Sequence, residues 1–192
     1  MLTVKSPIKI ALIQMEELET AIKSLKTGKS RDPEGMICDI FREGVIGSDL
    51  KLSLLMMFNQ MKDQVTIPEM LRTATITMLY KKNSKTDLNN WRGIFVTSVL
   101  RTLLMKIIQN RTYRKVASSM SDSQKRAQKK KSVRIHIFVL NAIISDVLSS
   151  VKKPSIDLCA MDYRQMFDSE EVKIYLNALY EAGVHDDLFA MI

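Results

Sequence analysis

Two aspartates six residues apart, Asp162 and Asp168, lie in the stretch CAMDYRQMFDSEEV (159–172). An apolar run leads into the first, and an aromatic residue, Phe167, directly precedes the second. A carboxylate at the end of an apolar strand can take a hard divalent cation, because Mg²⁺ prefers oxygen ligands. It serves equally well as a helix cap or a turn residue. Upstream, KKNSKTDLNNWRG (81–93) holds three lysines and an arginine, and KRAQKKKSVR (125–134) holds six Lys/Arg and no acid. Such cations neutralise phosphates. The first group suits a triphosphate, and the second suits a nucleic-acid backbone, where each neutralised phosphate releases a counterion. A solvated basic surface is the plain alternative for both runs.

In-line phosphoryl transfer with two metals about 3.5–4 Å apart needs several carboxylates. The one Asp-Asp pair, Asp186-Asp187, follows Gly183 closely and precedes an apolar run, so it reads as a helix N-cap. That leaves Asp162 as the one candidate metal ligand, with the cap or turn reading still open. His136 and His185 have no partners at ligand spacing, and Cys38 and Cys159 match no metal-binding pattern. Two distant cysteines suit a reduced, intracellular protein of the nucleus or cytoplasm. Trp91, the single tryptophan, is expected to anchor its loop, with base stacking as the alternative.

The elements that must carry these groups follow from periodicity. With 192 residues, 46% apolar and 26% charged, the chain is long enough for a buried core and is not composed like a disordered one. No apolar run reaches the roughly 18 residues that span a bilayer, so no membrane partner is expected. The net charge of +8 favours a polyanionic partner. Met15, Leu18, Ile22 and Leu25 share a helical face ending near Gly28, and GKSRDPEG (28–35) reads as a loop. A second helix starts at Ser48-Asp49 with a face through Leu52, Leu55, Met56 and Met61. TATITMLY (73–80) alternates as a strand, and IFVTSV (94–99) suits a short extended segment. Leu100, Leu103, Leu104, Ile107 and Ile108 predict a third helix, and IFVLNAIISDVLSSV (137–151) a fourth. Residues 154–162 read as a strand with Ile156, Leu158, Ala160 and Asp162 on one side. A helix over about 169–181 follows, closed by Gly183, and HDDLFAMI (185–192) opens another. The expected class is α+β and helix-rich.

Four blocks in this order resemble the N-terminal portion of a reverse transcriptase of the non-LTR (LINE-like) retrotransposon type. IKSLKTGKSRDPEGMICDIF (22–41) resembles that family's opening K-x-x-K-S-P-G-P-D-G-I segment. Residues 58–111 resemble its succession of x-I-P-x-x-W-x-x-A, a K-K/P-K loop and N-Y-R-P-I-S-L. SDSQ (121–124) with the basic run resembles S-x-x-Q-x-G-F-R-x-x-R-S, and MDYRQMFD (161–168) resembles polymerase motif A, D-x-x-x-A-F-D. The resemblance implies fingers and a partial palm of a right-hand polymerase, with residues 1–153 fingers-like after an N-terminal extension and 154–192 the start of a palm whose sheet is incomplete.

By the same resemblance, Asp162 matches the catalytic Mg²⁺ ligand, and Phe167 the aromatic gate under the sugar. Arg92 matches the arginine on the incoming triphosphate, with Lys82 or Lys81 as its lysine partner. Gln124 matches a residue that positions template or primer, and Lys125, Arg126, Lys129, Lys130, Lys131 and Arg134 the strand-tracking cations. Asp168 fits a helix cap. Departures are Glu34 for Asp, Gly93 for Pro, Arg126 for Gly, Ala127 for Phe, Lys131 for Arg, Ile135 for Asp or Asn, and Met166 for Ala. The family takes its other carboxylates from a Phe/Tyr-x-Asp-Asp hairpin. The implied parent activity is template-directed nucleotidyl transfer with Mg²⁺, an RNA template, a DNA primer and dNTPs, and this chain is expected to be catalytically incomplete, a truncated or degraded copy. The alternatives are a non-catalytic nucleic-acid-binding module and a helical protein-interaction domain.

Overall fold

Glu17 turns back at the start of the first helix, and its carboxylate accepts the Gln14 backbone N–H at 3.0 Å. This satisfies one amide at the helix end where the dipole favours acids. The structure, a computed structural model, describes residues 11–42, 44–126, 128–150, 155–163 and 171–192. Helix α1 (Met15–Lys23) buries Leu18, Ala21 and Ile22, with Met15 and Leu25 packed at the edge. It ends before Gly28 because Ser24 competes for the helix carbonyls: its hydroxyl donates to the Ala21 carbonyl at 2.7 Å. Gly28 then takes a positive φ of 67°, and its N–H reaches the Asp39 carboxylate at 3.1 Å.

Helix α2 (Ser48–Gln64) buries Leu54, Phe58 and Met61, spaced i, i+4, i+7. The expected face was partly rotated: Met61 is buried and Leu55 packs at the core edge, but Leu52 and Met56 face solvent. With apolar residues on two sides of α2, the side carrying Phe58, the bulkiest of them, won the core. Pro68 starts the short helix α3 (Glu69–Arg72), which buries Leu71. Strands β1 (Ala74–Tyr80) and β2 (Trp91–Thr97) pair antiparallel from Ala74↔Thr97 to Tyr80↔Trp91. Helix α4 (Val99–Val116) follows at once and buries Val99, Leu103, Leu104, Ile107 and Ile108, as its spacing predicts. Helix α5 (Arg134–Ser149), helix α6 (Val172–Glu181) and the short helix α7 (Asp186–Ala190) complete the described elements. Gly183, at φ 92°, ends α6, and the Val184 N–H bonds back to the Leu179 carbonyl at 3.0 Å.

One core joins these pieces. Leu18 and Ile22 of α1, Phe58 of α2, Leu71 of α3 and the α4 stripe meet Val184, Leu188 and Met191 from the last residues of the chain. The class is α+β and helix-rich, with a single two-stranded ribbon among the described residues. No described helix is long and apolar enough to cross a membrane.

The strand expected at 154–162 is not formed over its described part. Residues 155–163 carry no regular structure, and all are exposed. The alternation of Ile156, Leu158 and Ala160 suits a strand, but a strand needs a neighbour for its N–H and C=O groups, and none pairs with it here.

Candidate nucleic-acid interface

The ribbon carries its cations on a tip that is folded rather than loose. Lys81 N–H closes the turn on the Asn90 carbonyl at 2.8 Å. Asp87 caps a single 3₁₀ turn (Leu88–Asn90) by accepting the Asn89 backbone and side-chain N–H at 2.9 and 3.0 Å. Asn90 Nδ2 donates to the Ser84 carbonyl at 2.9 Å, and Trp91 Nε1 to the Lys85 carbonyl at 3.0 Å. The Tyr80 hydroxyl donates to the Asn83 carbonyl. Tyr80 and Trp91, directly paired across the ribbon, lie 5.3 Å apart at an interplanar angle of 59°, and Lys85 Nζ sits 5.5 Å from the Tyr80 ring. Trp91 thus anchors the loop.

Lys81, Lys82 and Arg92 are all exposed, and none has a carboxylate partner among the described residues. Arg92 pairs with Leu79, so it projects from the ribbon face opposite to Tyr80 and Trp91. Lys85 was missed as a tip cation. Its lysine lies in the quoted run, but only the folded loop brings it over Tyr80.

The second basic group packs along the end of α4. Lys129 Nζ donates to Asn110 Oδ1 at 2.9 Å and sits 4.8 Å from the Tyr113 ring, whose hydroxyl accepts the Lys129 backbone N–H at 3.2 Å. Lys131 bonds the Asp122 carboxylate at 2.5 Å. That hydrogen bond, with the Lys131 and Lys125 charges, holds the Asp122 carboxyl below its ordinary range. Lys129 and Lys131 are therefore committed locally, while Arg126, Lys130 and Arg134 are exposed without such partners. Gln124, expected to touch a template, is exposed. Gln128 is the buried glutamine of this loop, donating from Nε2 to the Ser121 carbonyl at 2.9 Å. Nothing in the basic run marks Gln128 for burial, because only Ala127 beside it is apolar.

Helix α4 separates the two basic groups. The ribbon enters at its first residue, and the loop packs on Asn110 and Tyr113 near its other end. Eighteen residues at 1.5 Å each put those ends about 27 Å apart. Arg111, also on α4, is internal to the fold. It grips Glu17 with two bonds of 2.8 and 2.7 Å and donates to the Ala11 and Leu12 carbonyls at 2.9 Å each. This pairing keeps the Glu17 carboxyl below its usual pKa, chiefly through the Arg111 hydrogen bond and against the opposing cost of burial. A groove of about 670 Å³ lies beside this pair, lined by Glu16 as well as by Arg114, Lys115 and His185. Its mixed charge does not suit a phosphate path.

Asp162 is exposed within residues 155–163. Among the described residues no three His, Cys, Asp or Glu side chains converge on a metal position. One carboxylate does not fit the shell Mg²⁺ requires, so no catalytic step is assigned to it. Phe167 and Asp168 lie outside the described residues. Asp186 and Asp187 are the first two residues of α7, inside the helix rather than at the N-cap position expected for them. No family model matches the chain.

Proposed function

We propose that the chain is a nucleic-acid-binding module of the fingers type, akin to the corresponding part of a reverse transcriptase. The observation that carries this reading is the ribbon tip, an ordered loop presenting Lys81, Lys82 and Arg92 without an ion-pair partner among the described residues, its own Asp87 being engaged with the Asn89 N–H groups. Cations held without a carboxylate partner are suited to an external polyanion, because binding then breaks no ion pair. The exposed Arg126, Lys130 and Arg134 extend the same surface beyond the far end of α4. With the ribbon's base and the basic loop set along the length of α4, a strand that touches both groups is expected to span several nucleotides. Chemistry is not part of the proposal for this chain, since Asp162 stands without converging carboxylates among the described residues. In a complete polymerase site of this kind, Mg²⁺ would supply the charge stabilisation, and Asp162 would be one of its ligands.

The test is anisotropy of labelled single-stranded RNA titrated with the chain at several salt concentrations. Binding that weakens linearly in log–log form is expected, with each phosphate contact adding about 0.7 to the slope. Absence of binding at low salt would refute the proposal. Template-directed dNTP incorporation by the purified chain would refute its non-catalytic part. A second reading, a helical protein-interaction domain, is favoured by α5, none of whose residues is buried. Sedimentation with candidate partners, under salt that abolishes RNA binding, separates the two.

A further inference from the structure

We infer that Asp32 is a positioning residue that aims the cationic ribbon from the helical core. No residue from 72 to 97 is buried, so the ribbon stands away from the core and its direction is set at its base. There it is bracketed by buried Leu71 on one side and by Ser98 and Val99 on the other. Among the described residues, two long-range polar contacts reach this base. Arg101 donates to the Arg72 carbonyl at 3.0 Å, and the Val99 N–H donates to Asp32 Oδ2 at 3.0 Å.

The second contact is the unusual one. Helix α4 begins at Val99, and its first amides need acceptors from outside the helix. Ser98, the adjacent residue and a good capping type, leaves its hydroxyl buried and unpaired among the described residues. The acceptor comes instead from a carboxylate 67 residues away. Asp32 is only 8% exposed, and its other oxygen accepts the Glu34 and Met36 N–H groups at 3.1 and 2.7 Å. Its own backbone N–H donates to the Met36 carbonyl at 2.8 Å, so the loop holding it is closed on itself. A charge-assisted bond from a fixed loop thus clamps the one-residue joint between β2 and α4. Rotation of the ribbon about Ser98 stretches that bond. The angle so fixed decides where Lys81, Lys82 and Arg92 meet phosphates, a consequence that rests on the nucleic-acid reading, whereas the clamp itself does not.

The experiment uses the full chain with Cys38→Ser and Cys159→Ser, spin-labelled at Leu88→Cys on the tip and Gln60→Cys on α2, both exposed positions. Pulsed electron–electron resonance reads the tip-to-core distance, and anisotropy reads RNA affinity. Asp32→Ser keeps a short acceptor for the local turn but cannot reach Val99. Asp32→Asn keeps the reach and loses the charge. The native chain should give one narrow distance distribution, Asp32→Ser a broadened or displaced one, and RNA affinity should fall roughly threefold to tenfold. A folded Asp32→Ser variant with the native distribution overturns the inference. So does failure of both variants to fold, which would make Asp32 a folding determinant instead. If distances change and affinity does not, while Lys81→Ala/Lys82→Ala loses binding, the functional role of the angle fails and the nucleic-acid reading stands. If the lysine variant also binds normally, the nucleic-acid reading fails and the clamp stands.

Discussion

Helices α4 and α5 have 18 and 16 residues, and α5 is the richer in Leu, Ile and Val, yet α4 buries five apolar side chains and α5 buries none. Their patterns differ in one respect. The buried residues of α4 fall on a single stripe, with Arg101 and Lys106 off it, and the stripe turns basic only in the last turns, at Arg111, Arg114 and Lys115. In α5, Ile137, Leu140, Ile144 and Val147 form one stripe, and Ile135, Val139 and Ile143 form another. A one-sided helix is satisfied by one neighbour, whereas a helix apolar on most sides needs cover on several. Among the described residues α5 has only Ile144 and Val147 partly covered, and Phe138 and Leu148 remain 74% and 70% exposed. The contrast extends to the neighbours of α5: residues 155–163 are all exposed, and α6 buries nothing. Packing in this molecule therefore follows the number of apolar faces that must be matched, not apolar content.

Core truncations give the largest test of that contrast. Phe58→Ala or Leu104→Ala, each at fully buried positions, should destabilise the chain by about 3–5 kcal/mol in urea unfolding. Phe138→Ala should change stability by no more than about 0.5 kcal/mol. If Phe138→Ala costs as much as Phe58→Ala, α5 is covered in solution and the two regions are alike. Native-state amide exchange probes the same difference without mutation. The Leu103 and Leu104 amides should exchange only on global unfolding, and those of Ile143 and Ile144 through local opening orders of magnitude faster.

A smaller effect belongs to the link between α1 and α4. Glu17→Ala leaves the Arg111 guanidinium short of two acceptor contacts in a partly buried site, at a cost of about 1–3 kcal/mol. The pH dependence has a definite sign. The folded Glu17 carboxyl lies below its unfolded value, so its contribution is complete above the unfolded pKa of about 4.3 and is lost as pH falls through the folded one. Glu17→Gln should flatten the acid limb of the stability profile and leave α5 exchange unchanged. An unaltered acid limb would mean the pair does not form in solution.

How much of this was legible in the sequence depended on how local the deciding interaction is. The α4 stripe, the β1 alternation and the Gly183 stop are set within a few residues, and each was readable. The position of Trp91 as a loop anchor was readable too, from a lone aromatic in a polar turn. The face of α2 was misread because two apolar sides compete, and only the partner helices decide between them. The 154–162 strand was misread because a strand is completed by a neighbour that sequence alternation does not guarantee. Asp32 was invisible for a similar reason: its role depends on Val99, 67 residues on. The site was legible as charge and not as geometry. Lys129 and Lys131 read as strand-tracking cations, and the fold ties them to Asn110 and Asp122.

The smallest effect on stability should accompany the largest effect on binding. Lys81→Ala/Lys82→Ala/Arg92→Ala removes three exposed cations that make no ion pairs among the described residues, so unfolding should shift by about 0.5 kcal/mol or less. The salt slope for single-stranded RNA should fall by about 2, or 0.7 for each lost phosphate contact. Lys129→Ala/Lys131→Ala should reverse the balance, because those lysines are bonded to Asn110 and Asp122. Their loss should loosen the loop on α4 while lowering the slope by less than the tip variant does. Oligonucleotide length sharpens the comparison further. A strand of very few nucleotides can engage one group only, whereas a longer one can reach both, so the slope should rise with length. In the tip variant this rise should vanish, since one of the two groups no longer contributes. A slope that is equal for four and twelve nucleotides, or unchanged by the tip substitutions, would confine binding to the loop and leave the ribbon without a role in it.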